Sequence, residues 1–104
     1  MKYQPRRCSK RWLDSDCPRG VLAIMDHPKE VDRYTVFYAE LYAGDYRDGW
    51  LTYLSSDENG WHSHGEMEAY KVASYRYSQK HRYIRWTDLP DVVRDVVRKD
   101  LNHD

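Results

Sequence analysis

The sequence contains little of several residue types on which common protein classes depend. Only two of its 104 residues are cysteine, and its five glycines and four prolines form no low-complexity tract. In a reducing compartment Cys8 and Cys17 are expected to be free thiols, and a disulfide between them would require an exported protein. The longest clean apolar run, 21–25, is far shorter than the ~20 residues of a membrane-spanning helix, and we expect no membrane contact.

A net charge is also missing, because 17 basic side chains balance 17 acidic ones. A protein that binds polyanions in bulk usually has a basic domain, and this chain does not. The charges are nevertheless segregated along the chain. Basic residues are in excess in 1–20 and 70–86, and acidic residues in 21–69 and 87–104. These blocks either form a dipolar surface or neutralise one another after folding.

The first residues are basic, but no apolar segment follows them as it would in a secretory signal. We therefore expect a cytoplasmic protein. Residues 1–18 have little periodicity and are predicted to be a basic arm. Residues 19–104 are predicted to form a single domain, since the whole chain has the length of one.

Three segments have β-strand patterns. VLAIM, residues 21–25, predicts a strand covered on both faces. Residues 33–43 alternate, which places Tyr34, Val36, Tyr38 and Tyr42 on one face and Phe37, Ala39 and Leu41 on the other. WLTYL, residues 50–54, is the third strand candidate. The residues that follow it, 57–60, have the types that a tight turn requires.

The second half of the chain is less uniform. Residues 66–78 begin with good helix formers and end with a strand-like alternation, so both structures remain open. RYIRW, residues 82–86, predicts the last strand.

The C-terminal residues predict an amphipathic helix. Apolar residues recur at steps of three and four, on one stripe: Leu89, Val92, Val93, Val96, Val97 and Leu101. The opposite face would hold Arg94, Asp95, Arg98, Lys99 and Asp100. Thr87 or Asp88 can cap this helix, and its first turn tolerates Pro90. The expected architecture is α+β, with about four antiparallel strands under one helix.

The segment WHSHGEME, residues 61–68, has the residue types of a metal site. His62, His64 and Glu66 alternate, so they would project to one side of an extended chain. Imidazole and carboxylate groups bind zinc, and three of them with an open position make a catalytic site, so a metal-dependent hydrolase is one hypothesis. The spacing from the two cysteines matches no compact zinc module, and exposed histidines are the simpler interpretation.

Other catalytic motifs are missing. The sequence has no GxSxG elbow and no glycine-rich phosphate loop. We expect neither an enzyme nor a cofactor.

The basic segment 70–86 interleaves aromatic and cationic residues. Aromatic rings can stack on bases while Arg and Lys bind phosphates, which is how single-strand binders work. The same composition suits a protein interface or an ordinary strand with one solvated face. The candidate nucleic-acid-binding residues are Tyr75, Arg76, Tyr77, Lys80, Arg82 and Arg85.

The acidic turns offer another candidate surface. Carboxylates beside exposed aromatic rings could bind a basic groove on a partner protein, although a solvated loop has the same composition. The candidate partner-binding residues are Asp45, Tyr46, Asp48, Asp57, Glu58 and Trp61.

Three stretches carry a family resemblance: DRYTVFY (32–38), YLSSDENGWHSHGE (53–66) and HRYIRWTDLPDVVRDVVRKDL (81–101). They resemble small uncharacterised proteins of bacterial, notably actinobacterial, genomes and of their phages and plasmids. Those proteins share a DRYTV-like strand, a histidine loop ending in HGE and an I-R-aromatic-x-DLP entry into a final helix. The Pro-Gln-Gly run of that loop is missing here. The resemblance implies a mobile-element protein and assigns no activity.

These observations favour a small non-enzymatic protein that binds another protein. One specific version is a phage-encoded inhibitor of a host defence nuclease, similar in role to an anti-CRISPR protein. The alternatives are the single-strand nucleic-acid binder at residues 70–86 and the metal-dependent hydrolase at the histidine loop.

Overall fold

A computed structural model describes residues 5–39 and 49–102 of the chain. They form a four-stranded antiparallel sheet in the order β1-β2-β3-β4. The strands are β1 (Val21–Asp26), β2 (Tyr34–Tyr38), β3 (Trp50–Ser56) and β4 (His62–Glu68). Two helices follow, α1 (Ala69–Ser78) and α2 (Asp91–Leu101). The predicted α+β architecture with a C-terminal helix is therefore confirmed.

Both faces of the sheet are covered, each by one helix. Val93 and Val97 of α2 pack in one buried cluster with Val36 and Leu54 of the sheet. Ala69 and Val72 of α1 belong to a second cluster that also contains Leu22, Ala23, Met25, Phe37 and Leu51. Because β1 contributes to both clusters, its continuous apolar sequence has a direct structural reason. The sequence predicted α2 but left α1 undecided, so this second layer was missed.

The alternation in β2 is confirmed. Tyr34, Val36 and Tyr38 join the cluster under α2, and Phe37 joins the cluster under α1. Leu41 and Tyr42 lie outside the described residues.

The prediction of a strand at residues 82–86 was wrong. Short 3₁₀ turns at Lys80–Arg82 and Trp86–Asp88 flank this segment. Only one β-bridge, between Tyr83 and Met25, joins it to the sheet, and the Ile84 N–H donates to the Ile24 carbonyl at 3.0 Å. The segment thus follows the outer edge of β1 for two residues, and the fourth strand is His62–Glu68 instead.

Residues 66–78 divide at Ala69, where β4 passes directly into α1. In α1 the side chains that face the sheet are spaced by three and four: Ala69, Val72 and Arg76 are buried, and Tyr75 packs against the same cluster. The residue types of VASYRYS alternate as in a strand, but the backbone of this segment is helical.

The start of α2 also differs from the expectation. The residue before its first turn is Pro90, whose carbonyl accepts the N–H groups of Val93 and Arg94, and no side chain caps the helix. Asp88 instead accepts the Arg85 N–H at 2.9 Å in the preceding 3₁₀ turn. Val92 was predicted on the apolar stripe, but it is 46% exposed.

The described part of the N-terminal segment lies against β1. Leu13 and Cys17 are buried in the cluster under α2, and the Cys8 N–H donates to the Leu22 carbonyl at 2.9 Å. Arg7 donates to the carbonyls of Val21 and Cys17, both at 3.0 Å. The division of the chain into an arm (1–18) and a domain (19–104) stays a prediction. Within the described ranges, neither helix is long and apolar enough to cross a membrane.

Candidate functional site

The turn between β3 and β4 is held by the side chain of its first residue. The Asp57 carboxylate accepts the N–H groups of Asn59 at 2.8 Å and Trp61 at 3.0 Å, and the Asp57 N–H donates to the Trp61 carbonyl at 3.0 Å. Gly60 has φ +89°, a conformation that other residues rarely adopt. The tight turn predicted at 57–60 is confirmed, and its internal bonds fix the backbone at Trp61.

This turn presents a large apolar side chain to solvent. Trp61 is 78% exposed. Beside it, the turn rests on α2, because a Cβ built at Gly60 would lie 3.4 Å from the Val92 Cβ atom. Val92 is the exposed valine of α2, so two separate elements bring apolar side chains to the same part of the surface.

Carboxylates lie on both elements that carry these two apolar residues. Glu58 accepts a hydrogen bond from Arg33 at 2.7 Å, and Arg33 also binds both oxygens of Asp26, at 2.6 and 2.9 Å. The Asp26 and Glu58 bonds raise the pKa of Arg33, which stays charged. One guanidinium therefore serves two carboxylates, and negative charge is in excess there.

Helix α2 adds two exposed carboxylates on either side of Val92. The side chain of Asp91 is 86% exposed and binds Arg94, and that of Asp95 is 63% exposed and binds Arg98 at 3.0 Å. We call Glu58, Trp61, Asp91, Val92 and Asp95 the tryptophan surface. Its apolar centre, Trp61 and Val92, is accompanied by three exposed carboxylates, each of which is paired with an arginine.

The predicted partner-binding residues have three outcomes. Asp45, Tyr46 and Asp48 lie outside the described residues. Asp57 lies in the turn, but its carboxylate is bonded to the backbone. Glu58 and Trp61 are both exposed.

Sequence analysis missed the contribution of Val92, Asp91 and Asp95 to this surface. Val92 follows the helical spacing of a core residue, and no sequence signal shows that the turn at Gly60 meets the helix there.

The predicted nucleic-acid-binding residues do not form one surface. Tyr75 faces the sheet, where its hydroxyl bonds to His27 Nε2 at 3.0 Å, and burial raises its pKa. Arg76 is buried, and the Nε atom of Arg82 is enclosed. Tyr77, Lys80 and Arg85 are exposed. Residues 70–78 are helical, so every third or fourth residue turns inward and the candidate residues are divided between the interior and the surface.

The predicted metal ligands lie on one side of β4, as expected for an extended chain. His62, His64 and Glu66 oppose Ser56, Leu54 and Thr52 of β3 in the sheet register. The rings of His62 and His64 meet edge to face, with centroids 5.6 Å apart. His62 Nδ1 donates to the Gly60 carbonyl at 2.7 Å. Among the residues that the structure describes, no group of three or more His, Cys, Asp or Glu side chains is placed to hold a metal ion.

His64 is instead part of a polar link between β4, β2 and α2. Its Nε2 atom lies 2.7 Å from Asp100 Oδ2, and the Tyr38 hydroxyl donates to the same oxygen at 2.6 Å. Asp100 was predicted on the solvated face of α2, but its side chain is only 18% exposed. This carboxylate therefore anchors the last turn of α2 to the sheet.

No protein-family model, curated protein or solved structure gives a match to this chain.

Proposed function

We propose that this protein is a non-enzymatic binding protein that contacts a partner protein through the tryptophan surface. The observation that carries the proposal is the position of Trp61, whose large ring is exposed to solvent on a turn with four internal hydrogen bonds. Trp is among the residue types that contribute most to binding at protein interfaces. A backbone that is already ordered loses less conformational entropy on binding.

The charges suggest which kind of partner would bind. Exposed carboxylates at Glu58, Asp91 and Asp95 lie on the same two elements as the apolar centre. Each is paired with an arginine, but the arginine at Glu58, Arg33, is shared with Asp26, which leaves an excess of negative charge there. Opposite charges steer two proteins together and reject like-charged competitors. A partner with an apolar pocket in a basic surface fits this arrangement best.

Nucleases belong to this class of partner, because they need a basic groove to hold the phosphates of their substrate. An acidic protein surface placed in such a groove would compete with nucleic acid. A mobile-element-encoded inhibitor of a host defence nuclease is therefore our specific version of the proposal, in line with the family resemblance.

The test is a comparison of matched variants. Immobilised wild type, Trp61→Ala and Tyr77→Ala are exposed to the same bacterial extract, and the proteins retained by wild type are identified, purified and titrated. Tyr77 is a suitable control because it is 76% exposed but lies on α1, across the sheet from α2.

We expect Trp61→Ala to raise the measured Kd by about 30-fold or more, which corresponds to the ~2 kcal/mol of an interface hot spot. Tyr77→Ala should leave the Kd unchanged. Equal affinity of wild type and Trp61→Ala for every purified partner would end the proposal. Inhibition of a captured nuclease by wild type, but not by Trp61→Ala, would support the specific version.

A second candidate function has its own observation. Tyr70 and Tyr77 are exposed one heptad apart on α1, with the ammonium groups of Lys71 and Lys80 at 5.9 and 5.2 Å from the respective ring centroids. Such a row could bind single-stranded nucleic acid by stacking and phosphate contacts. Fluorescent oligonucleotides should then bind with a Kd that rises with salt and that Tyr77→Ala weakens. Absence of salt-dependent binding would dispose of this candidate.

A further inference from the structure

A positive charge is buried beneath α1. Arg76 is only 8% exposed. Its guanidinium donates to the Arg6 carbonyl at 2.6 Å, to Cys8 Sγ at 3.1 Å and to the Tyr83 hydroxyl at 3.2 Å. In the part of the chain that the structure describes, no Asp or Glu side chain pairs with it.

Burial of the Arg76 charge is energetically unfavourable unless one of its three hydrogen-bond partners carries negative charge. A guanidinium does not lose its proton in proteins, so Arg76 cannot escape the cost of burial by becoming neutral. An unpaired buried charge destabilises a fold strongly. A carbonyl offers only a dipole, which leaves the Cys8 thiol and the Tyr83 phenol as groups that can ionise.

Of these two kinds of group, a thiol in general becomes an anion more readily than a phenol. Burial raises the pKa of Tyr83, which opposes its ionisation although the Arg76 charge favours it. Cationic neighbours are the usual means by which proteins stabilise a thiolate, which is the nucleophilic form of cysteine.

We propose that Cys8 is a reactive nucleophilic thiol that Arg76 stabilises as a thiolate, and that it is a site of oxidation by peroxides. Cys8 is half-buried as a residue, and its N–H bond to the Leu22 carbonyl fixes its backbone beside β1. A small oxidant could therefore reach it while the cation stays enclosed.

The oxidation step is balanced with hydrogen peroxide as the oxidant. The thiolate attacks one peroxide oxygen, a sulfur–oxygen bond forms and the oxygen–oxygen bond breaks. The sulfur is oxidised to sulfenic acid and the peroxide is reduced. The leaving hydroxide takes up the proton that the thiol released to the solvent when it ionised, so one thiol and one peroxide give one sulfenic acid and one water.

The second cysteine is an internal control. Cys17 is 5% exposed, and burial raises its pKa to about 11, against the opposing effect of Arg7. It should therefore be inert in the folded chain. Both thiols occur in one molecule, so each experiment measures them side by side.

The experiment measures alkylation of each cysteine by iodoacetamide at pH 7, in the native chain and in urea, with peptide mass spectrometry as the readout. An ordinary half-buried thiol reacts faster after unfolding. We expect Cys17 to behave in this way and Cys8 to react about threefold or more faster in the native chain. If Cys8 also reacts faster in urea, the proposal is wrong.

Two variants test the source of the reactivity. Arg76→Gln should remove the native-state advantage of Cys8, and Arg76→Lys should retain part of it because the charge remains. Persistent protection of Cys17 shows that a variant is folded. If Cys17 becomes reactive, that variant has unfolded. The proposal is then tested only by the alkylation rates of wild-type Cys8 in the native chain and in urea.

A folded Arg76→Gln protein with undiminished Cys8 reactivity would overturn the proposal.

A second readout uses hydrogen peroxide itself, with dimedone to trap sulfenic acid. We expect the dimedone adduct on Cys8 and not on Cys17. An equal yield on the two cysteines would contradict the assignment.

Discussion

The close contact between Gly65 and Tyr53 provides the sharpest test of the sheet. These residues oppose each other in the register of β3 and β4, and the tyrosine ring lies across the glycine. A Cβ atom at Gly65 would lie 2.3 Å from the Tyr53 Cζ and hydroxyl atoms and 2.7 Å from Cε2. Carbon atoms in contact are usually about 3.5–4.0 Å apart, so in Gly65→Ala the ring must retreat by about 1 Å.

The cost follows from what holds the ring in place. Tyr53 packs against Phe37, with ring centroids 6.0 Å apart, so it cannot move without disturbing the cluster under α1. Overpacking of this kind costs about 1–3 kcal/mol, and the lower backbone entropy of unfolded alanine returns about 0.4–1 kcal/mol. We expect Gly65→Ala to lower the free energy of unfolding by about 1–2 kcal/mol, or the Tm by roughly 4–16 °C.

The assay is a double-mutant cycle with Tyr53→Ala, measured by urea unfolding. When the ring is absent, Gly65→Ala should become neutral or stabilising, which gives a coupling energy of about 1–2 kcal/mol. Gly49→Ala is the control, because Gly49 has φ +76° and no atom of the described residues lies within 4 Å of its Cβ position, so its cost should not depend on Tyr53. Additive effects of Gly65→Ala and Tyr53→Ala would refute the reasoning.

Three further predictions concern stability. Burial lowers the pKa of His27, so the unfolded chain binds its proton more readily. The stability that neutral His27 contributes is complete above the ordinary pKa of histidine and is lost as the pH falls below that value. In urea titrations from pH 8 to 5, the free energy of unfolding should therefore fall less for His27→Gln than for wild type. Asp100→Ala removes the acceptor of the Tyr38 hydroxyl and should cost about 1–3 kcal/mol in urea unfolding; an unchanged midpoint would contradict the anchoring role. In thermal unfolding, Val97→Ala should cost about 2 kcal/mol because Val97 is fully buried, whereas Val92→Ala should cost under about 1 kcal/mol; equal costs would show that α2 packs differently.

The elements that were predicted correctly carry their evidence within a few residues. Continuous apolar sequence defined β1, alternation defined β2, and spacing of three and four defined α2. Each pattern is a direct consequence of backbone geometry, because a strand repeats every two residues and a helix every 3.6. The turn at 57–60 was predictable for the same reason, since Asp and Gly have local conformational preferences.

The errors occurred where local patterns compete. Residues 82–86 alternate like a strand, yet Arg82 and Trp86 belong to 3₁₀ turns, and the segment follows β1 for only two residues. Residues 62–68 have few strongly β-forming side chains, yet they pair with β3 along their whole length. Strand preference depends on packing against neighbouring strands more than on the residue itself.

The candidate sites divide in the same way. Trp61 and Glu58 were predicted because a turn with polar residues lies at the surface. Val92 joined them only because the turn at Gly60 rests on α2. The pairing of Arg76 with Cys8, 68 residues apart in the chain, had no signal in the sequence.

The sequence by itself determined the α+β class, the faces of β2, the turn before Trp61 and the apolar stripe of α2, because each of these depends on neighbours along the chain. Only the tertiary structure decided which strand is fourth, that α1 covers the second face, and where the charges of Arg76 and Asp100 lie. Those features depend on contacts between residues far apart in the sequence, and their energies come from desolvation and packing that exist only after the chain has folded.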